Sequence, residues 1–390
     1  MQPATSNQRR ANIRAYSSAL LILIASRVVV ILALFFSVRF VKPSIHAVGE
    51  TDVPWYQYLL RWDAGWYLQI VRDGYSHTGD ELTQQSINFS PVYPLFCKGV
   101  SVLFGLPPGV ALVIVSNLLL VIGIILLFKL IRDDYGDDVA FYSLAALCFF
   151  PSSMFFSAGY TESLALGLIA GCFLLLKRKR YVFASVLIGL AVGTRLMSLV
   201  LIPPLLWELW RDLAPNKKRL FVTGGASLIL ATSGLWLYMI YLWAAFNSPL
   251  SIMTSKRAWH GSGSSGELFR VLTLQPFQHL LDIWRDGPIP ETLAPWFFVL
   301  FIFLLIVFRK LLPVSYTLYA AGGLLMPYFL ASANRGFGSF TRYLMLIFPF
   351  FIILGEILRK RTWLALTVIG VFAALLFMHA AFYAQAYWAG

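Results

Sequence analysis

The chain has 390 residues, 59% of them hydrophobic and only 13% charged, with a mean hydropathy of +0.73. Soluble domains carry about a quarter charged residues, so the composition excludes a soluble globular domain. A net charge of +13 would point a soluble protein toward nucleic acid, but in a membrane protein basic residues set topology, and no nucleic-acid partner is expected here.

Long unbroken apolar runs exclude a β-barrel and predict an all-α polytopic membrane protein. The first run, Ser17 to Val38, is too long for a removable signal peptide and lacks a small-residue cleavage pattern, so it reads as a retained span. Arg27 sits in its middle. Intramembrane arginines face the bundle interior and pair with an acid or a phosphate, and a structural ion pair is the commoner role.

The segment RWDAGWYLQIVRDGY follows at 61–75. Read as a helix, it gathers Leu59, Trp62, Trp66, Tyr67, Ile70 and Val71 on one side, and Arg61, Gln69, Arg72 and Asp73 on the other. That is an amphipathic helix at a membrane surface. Asp63 breaks the pattern, one turn before Trp66 and Tyr67. A carboxylate among aromatics at a lipid–water boundary is costly, which makes it a functional candidate. The structural alternative pairs it with Arg61 or Arg72. The apolar stretch 89–105 contains Pro91 and Pro94 and reads as re-entrant or interfacial.

Placing the basic clusters at 9–14, 129–132, 177–180, 211–219, 309–310 and 359–361 on the cytoplasmic side orients the rest. The spans then read 17–38, 110–130, 139–156, 160–176, 181–194, 196–210, 220–246, 294–308, 313–332, 342–358 and 363–386. This gives about eleven crossings, with the N-terminus inside and the C-terminus outside. The short runs 181–194 and 196–210 read as half-helices meeting near Thr194–Arg195, which is tolerated only where protein or a cavity covers the backbone. The whole of 1–390 reads as one membrane domain, with long outer loops at 39–109 and 247–293 carrying interfacial helices. GSGSSG at 261–266 reads as a loop tip able to act as a lid.

Under this topology the unusual polar segments share the outer face. They are the loop with Asp63, GYTES at 159–163, GTR at 193–195, SKRAWH at 255–260 and NRGFGSFTRY at 334–343. Glu162 opens a span behind Thr161. A helix dipole and a Thr161 cap would account for it, and so would a second acid facing Asp63. Arg195, Lys256, Arg257, Arg335 and Arg342 are outer-face cations against the positive-inside bias. Each alone could snorkel; together they point to a lipid-borne phosphate. Cys97, Cys148 and Cys172 form no CxxC and read as core residues. His46, His77, His260 and His279 have no metal-ligand spacing and read as surface residues.

RWDAGWYLQIVRDGY, followed by NFSPVYPLF at 88–96, resembles the WD…GY…N-F-F-P-x-x-P segment of the GPI mannosyltransferase II (PIG-V-like) family and its bacterial relatives. SSMFFSAGYTESLALGL at 152–168 is similar to that family's F-x-x-A-x-Y-S/T-E-S/A-L segment. RLMSLVLIPPLLWE at 195–208 and SFTRYLMLIFPFFI at 339–352 resemble its later helices. Ser90 and Val92 depart from the family's aromatic or proline character, and Arg195-Leu196-Met197-Ser198 stands where the family often has R-S-N-G; both departures bear on the acceptor more than the donor.

The resemblance implies a GT-C glycosyltransferase fold and mannose transfer from polyprenyl (dolichyl-type) phosphate mannose on the side away from the cytoplasm. That side is periplasmic or extracellular in a prokaryote, with the protein in the plasma membrane, and the ER lumen in a eukaryote. It also implies that Asp63 matches the catalytic acid of the first outer loop and Glu162 the second acidic position. The mechanism expected is one inverting displacement. Asp63 is the general base on the acceptor hydroxyl, and the departing phosphate is held by a subset of Arg342, Lys256, Arg257, Arg335 and Arg195. Trp62, Trp66, Tyr67, Tyr160, Asn88 and Tyr93 are expected to line the substrates, which are the lipid-linked donor and a glycolipid or glycan acceptor amid membrane lipids. No metal is required, although magnesium or manganese bridging Asp63 and Glu162 stays open. The rival readings are a flippase or transporter of lipid-linked sugars, a structural subunit, and a transferase of another sugar such as arabinose or glucose.

Overall fold

The computed structural model describes residues 6–47, 53–80, 82–255, 289–330 and 339–387. Their regular structure is helical throughout. In chain order the helices are α1 (Ser6–Phe40), α2 (Asp63–Asp73), α3 (Val92–Phe104), α4 (Pro108–Tyr135), α5 (Asp137–Phe149), α6 (Glu162–Lys177), α7 (Tyr181–Val192), α8 (Ile202–Leu213), α9 (Lys217–Ala231), α10 (Ser233–Phe246) and α11 (Ser251–Thr254). After residue 288 come α12 (Ile289–Phe308), α13 (Val314–Leu330), α14 (Phe340–Leu344), α15 (Phe348–Leu358) and α16 (Thr362–Ala384).

Among the described residues four stretches are long and apolar enough to cross a membrane: Asn12–Phe40, Pro108–Tyr135, Leu293–Leu311 and Thr362–Ala384. The bent pair α9–α10, kinked by 50°, makes a fifth if counted as one span. The expected count of about eleven crossings is therefore not reproduced. The reason is local. The apolar run 139–156 stops being an α-helix at Phe149, and Pro151 opens a separate 3-10 turn, Pro151–Phe156. The run 342–358 divides into α14 and α15, the latter starting with Pro349 in its first turn. At 1.5 Å per residue the 12 residues of α7 reach about 18 Å, well short of a ~30 Å hydrocarbon layer. The 13 residues of α3 are also too few to cross.

Short helices persist here because protein covers their ends. α7 lies against the α9–α10 bend with almost no side chain between them. A Cβ on Gly234 would sit 2.2 Å from the Gly189 carbonyl oxygen and 2.2 Å from the Gly193 nitrogen. Only glycine permits that backbone-to-backbone approach. α7 then ends at Gly193, where the expected break occurs. Arg195 is extended (φ −154°, ψ 124°), and a 3-10 turn, Leu196–Leu201, leads into α8.

α16 packs on the Pro151–Phe156 turn, with α14, α6, α4 and α5 around it. Arg27 of α1 reaches this turn, but it meets no acid. Its guanidinium donates to the carbonyls of Ser153 (2.8 Å) and Cys148 (3.1 Å) and to the hydroxyls of Ser153 (2.9 Å) and Ser157 (3.1 Å). The expected ion pair is replaced by a carbonyl cap. The backbone leaving α5 has exposed its acceptors to an apolar interior, and the arginine supplies the missing donors. The three cysteines are free and buried.

Candidate active site

Asp63 is the first residue of α2, and its position is set by the backbone before it. Trp62 takes φ 55°, ψ −121°, a region that bulky L-residues rarely adopt. The surroundings hold this conformation in place. Trp62 Nε1 donates to the Tyr387 carbonyl at 3.2 Å, and Arg61 Nε donates to the Ala384 carbonyl at 3.1 Å. The Arg61 carbonyl accepts from the hydroxyls of Tyr160 (3.1 Å) and Tyr383 (3.0 Å). Gly159 N–H donates to the Leu59 carbonyl at 3.1 Å. The loop before α2 is thus clamped between the GYTES segment and the C-terminal end of α16.

α2 buries Ala64, Tyr67, Ile70 and Val71. Arg72 and Asp73 face solvent and pair with each other at 2.9 Å. Neither Arg61 nor Arg72 partners Asp63. Its partner is Arg342 on α14, whose Nη1 lies 2.8 Å from Asp63 Oδ2. Arg342 Nε lies 3.3 Å from Glu162 Oε1, an ionic contact without hydrogen-bond geometry. Glu162 also takes a hydrogen bond from Arg195 Nη1. Thr161 does not cap α6; its hydroxyl leans toward Glu162 Oε2 at 3.5 Å. The dipole-and-cap account of Glu162 is therefore incomplete, because its buried carboxylate is committed to two guanidiniums.

Two carboxylates and two guanidiniums form a group of zero formal charge, and balance is what makes such burial tolerable. Aromatic faces complete the enclosure. Arg342 lies over Tyr160 (5.2 Å), Phe155 (5.6 Å) and Tyr343 (5.6 Å), and Arg195 lies over Tyr343 (5.0 Å). Desolvated contacts of this kind contribute up to about 2 kcal/mol each. Burial, helped by the carboxylates of Glu162 and Asp63, pushes the Tyr67 phenol up, so it stays protonated at neutral pH. Three groups keep spare capacity among the described residues. Asp63 Oδ1 accepts no hydrogen bond, Arg195 bonds through Nη1 alone, and Arg342 Nη2 donates to nothing.

The other expected lining residues divide. Trp66 stacks on Phe89 at 5.9 Å, and Tyr67 meets Phe89 and Tyr93 edge-on. Tyr160 walls the ionic group. Asn88 lies elsewhere, exchanging hydrogen bonds with Ser255, whose hydroxyl donates to Asn88 Oδ1 at 3.1 Å. Tyr93 is fully buried between α3 and α4, with its hydroxyl shared by Ser116 Oγ (2.8 Å) and the Leu112 carbonyl (3.2 Å). It packs in the core of the α3–α4 contact. Lys256, Arg257 and Arg335 lie outside the described residues, as do His260, His279 and the 261–266 segment. His46 meets the Trp62 ring edge-on and His77 bonds Gln85, so both serve the loop's own packing.

Arg342 joins the two carboxylates that a magnesium or manganese ion was expected to bridge. Among the described residues no three His, Cys, Asp or Glu side chains gather as metal ligands. Sequence reasoning missed Tyr343, Phe155, Tyr383 and the Arg27 cap. Tyr343 follows Arg342 directly, but in an apolar chain an aromatic beside an arginine does not stand out.

The family model described as Mannosyltransferase (PIG-V) matches residues 20–247. Asp63, Glu162 and Arg195 fall inside the matched range and Arg342 outside it. No curated protein matches the sequence. Among solved structures, the chain is similar to the Archaeoglobus fulgidus oligosaccharyltransferase in complex with Zn and sulfate, at 13% identity and a TM-score of 0.48, covering 93% of this chain and 53% of that one. The apo form gives 14%, 0.46, 94% and 56%. The same organism's AglB with an inhibitory peptide and a dolichol-phosphate gives 13%, 0.44, 94% and 56%. The chain spans about half the length of these structures.

Proposed function

The chain belongs to the mannosyltransferase (PIG-V) family, and from that premise we propose that it is a GT-C-type membrane glycosyltransferase. It moves mannose from a polyprenyl phosphate-linked donor to a hydroxyl of a glycolipid or glycan acceptor on the non-cytoplasmic face. The observation that carries this reading is the buried group in which Arg342 joins Asp63 to Glu162, with Arg195 closing the other side.

The chemistry follows from the spare capacity of these groups. Asp63 Oδ1 accepts the proton of the acceptor hydroxyl. The acceptor oxygen bonds to the anomeric carbon from the face opposite the phosphate, and the bond from that carbon to the phosphate oxygen breaks. Its electron pair leaves on the polyprenyl phosphate, and the configuration inverts. Arg195, with Nε and both hydrogens of Nη2 unused, and Arg342, with Nη2 unused, take the developing phosphate charge. Glu162 acts on neither substrate. It fixes both guanidiniums so that their free N–H groups face one place, which is a positioning role. A divalent ion is not needed in this scheme, since a single phosphate ester meets two cations.

The test is transfer of labelled mannose from polyprenyl phosphate mannose to membrane-extracted acceptors by purified wild type, by Asp63→Asn, and by wild type with EDTA. The reading expects transfer by wild type, loss on substitution and indifference to EDTA. Turnover in Asp63→Asn would remove the base, EDTA sensitivity would overturn the metal-free scheme, and donor crossing the bilayer without transfer would favour a flippase.

A further inference from the structure

α16 ends in a turn that uses alanine where glycine is usual. Tyr387 N–H donates to the Phe382 carbonyl at 3.0 Å, and Ala386 N–H donates to the Tyr383 carbonyl at 2.9 Å. These are the two bonds of a Schellman motif, and the Phe382 and Tyr387 rings meet edge-on at 5.5 Å as its apolar contact. Ala386 takes the left-handed position, φ 59°, which a residue with a Cβ adopts less readily than glycine.

The turn presents a row of four carbonyls to residues 44–62. Those of Ala384 and Gln385 lie at the helix end, where no further turn supplies donors. They accept from Arg61 Nε at 3.1 Å and from Ser44 N–H at 2.9 Å. The next two accept from Ser44 Oγ, at 2.8 Å on Ala386, and from Trp62 Nε1, at 3.2 Å on Tyr387. Tyr383, fully buried, grips Arg61 at both ends. Its hydroxyl accepts from Arg61 N–H at 3.1 Å and donates to the Arg61 carbonyl at 3.0 Å.

Arg61 and Trp62 immediately precede Asp63, and Trp62 is itself at positive φ. Two unfavourable L-residue conformations therefore meet across one set of hydrogen bonds, a pattern found where strain is held for a site. We infer that Tyr383–Tyr387 is a positioning brace of the active site, with Tyr383 at its centre. It holds Trp62 in the positive-φ turn that starts α2 at Asp63, and so aims the carboxylate at Arg342. The brace acts through Asp63 and not on a substrate. This rests on the proposed transfer, with Asp63 as base, and adds what fixes that base. The brace lies beyond residues 20–247, the range that the family model matches.

Residue-resolved hydrogen exchange beside transfer kinetics tests this. The amides of Ser44 and Arg61 lie outside helices, and the brace supplies their acceptors. In unmodified, detergent-purified protein both should exchange at least about a hundredfold slower than unstructured amides, a result that needs no variant to fold. Tyr383→Phe removes the hydroxyl and keeps the ring. In that variant Arg61 should exchange at least about tenfold faster, with α4 and α6 unchanged. Its kcat for mannose transfer should fall at least about tenfold while the donor KM stays within about twofold. A second pair acts on the turn alone. Glycine accepts a positive φ and valine resists it, so Ala386→Val should lower kcat and expose the Ser44 amide more than Ala386→Gly does. Fast exchange at both amides in unmodified protein, or wild-type kcat in a folded Tyr383→Phe, would overturn the brace. So would a kcat loss matched by lost donor binding, or equal behaviour of folded Ala386→Val and Ala386→Gly. Exchange that responds as expected in a protein that never transfers mannose would overturn the proposed reaction and leave the brace standing.

Discussion

Arg342 Nη1 lies 2.8 Å from Asp63 Oδ2, a contact between residues 279 positions apart. It fastens the first residue of α2 to the five-residue helix α14. Both elements are too short to hold their place alone, so the ion pair and the aromatic faces around it set their relative position. Asp63 keeps one oxygen outside this contact because Arg342 occupies only the other.

Removing the arginine tests that arrangement. Arg342→Gln leaves two carboxylates facing each other without their common cation, and breaking such a buried pair costs about 3–5 kcal/mol. Glu162 keeps Arg195 as its partner, so adding Asp63→Asn removes the one carboxylate left unpaired. The double variant should melt above Arg342→Gln alone while staying inactive. A double-mutant cycle on thermal unfolding reads the coupling. Strict additivity would mean that the pair does not act as a unit.

Asp63→Asn alone should behave differently. The amide keeps the shape and can still accept from Arg342, which also keeps Glu162, so melting should fall less than in Arg342→Gln. A general base contributes about 10²–10⁴ in rate, and kcat should fall by at least that lower figure. Mannose transfer beside donor binding distinguishes the two effects. Weakened donor binding with kcat intact would reassign Asp63 to substrate holding.

Arg27→Met should destabilise through the backbone. The Cys148 carbonyl keeps the Ser153 hydroxyl as donor, Ser157 keeps Asn117, and the Ser153 carbonyl stays inside the 3-10 turn, so what is lost is the charge-assisted bonding itself. A hydrogen bond to a charged group contributes about 1.5–3 kcal/mol. The same turn carries Phe155 under Arg342, so kcat should fall modestly as well. A full loss of transfer in a folded protein would give Arg27 a direct role that its contacts do not suggest.

Tyr93→Phe separates motif membership from function. Tyr93 sits in the NFSPVYPLF segment that carries the family resemblance, yet its hydroxyl only bridges α3 to α4. Ser116 retains the Tyr160 carbonyl as an acceptor after the change. The expected cost is about 0.5–1.5 kcal/mol of stability with transfer kinetics unchanged. A raised donor or acceptor KM would restore Tyr93 to the substrate site.

The same residues mark what the sequence can and cannot reveal. Asp63 was legible because a carboxylate among aromatics has no cheap explanation, and the break at Arg195 because two apolar runs were too short to cross. The Arg27 cap was not, since its acceptors are backbone carbonyls that leave no trace in side-chain pattern. The burial of Tyr93 between α3 and α4 was not legible because an aromatic in a motif reads alike whether it lines a site or fills the core. The helix breaks were not legible because hydropathy adds residues across Pro151 and Pro349, where the helices stop. Nor does apolarity separate lipid-facing helices from short ones buried in protein.

Gly159 gives the last prediction, because it sets how closely the GYTES segment approaches the Asp63 loop. A Cβ there would lie 2.5 Å from Leu60 Cδ2, 3.4 Å from Leu112 Cβ and 3.5 Å from Ala64 Cβ. The nearest atom is the far end of a side chain, so Gly159→Ala can be accommodated by moving Leu60, at an overpacking cost of about 1–3 kcal/mol. Leu60 stands three residues before Asp63, and its displacement pushes the strained Trp62 turn. A displacement of ~1 Å at a catalytic group can cost about 10² in rate, so kcat should fall with KM largely kept. Leu60→Ala removes the colliding carbon, and the double variant Leu60→Ala/Gly159→Ala should regain part of the kcat lost in Gly159→Ala. Transfer kinetics of the three variants check this. No recovery in a well-folded double variant would mean that Gly159 acts through its backbone hydrogen bond to Leu59 and not through the space it leaves.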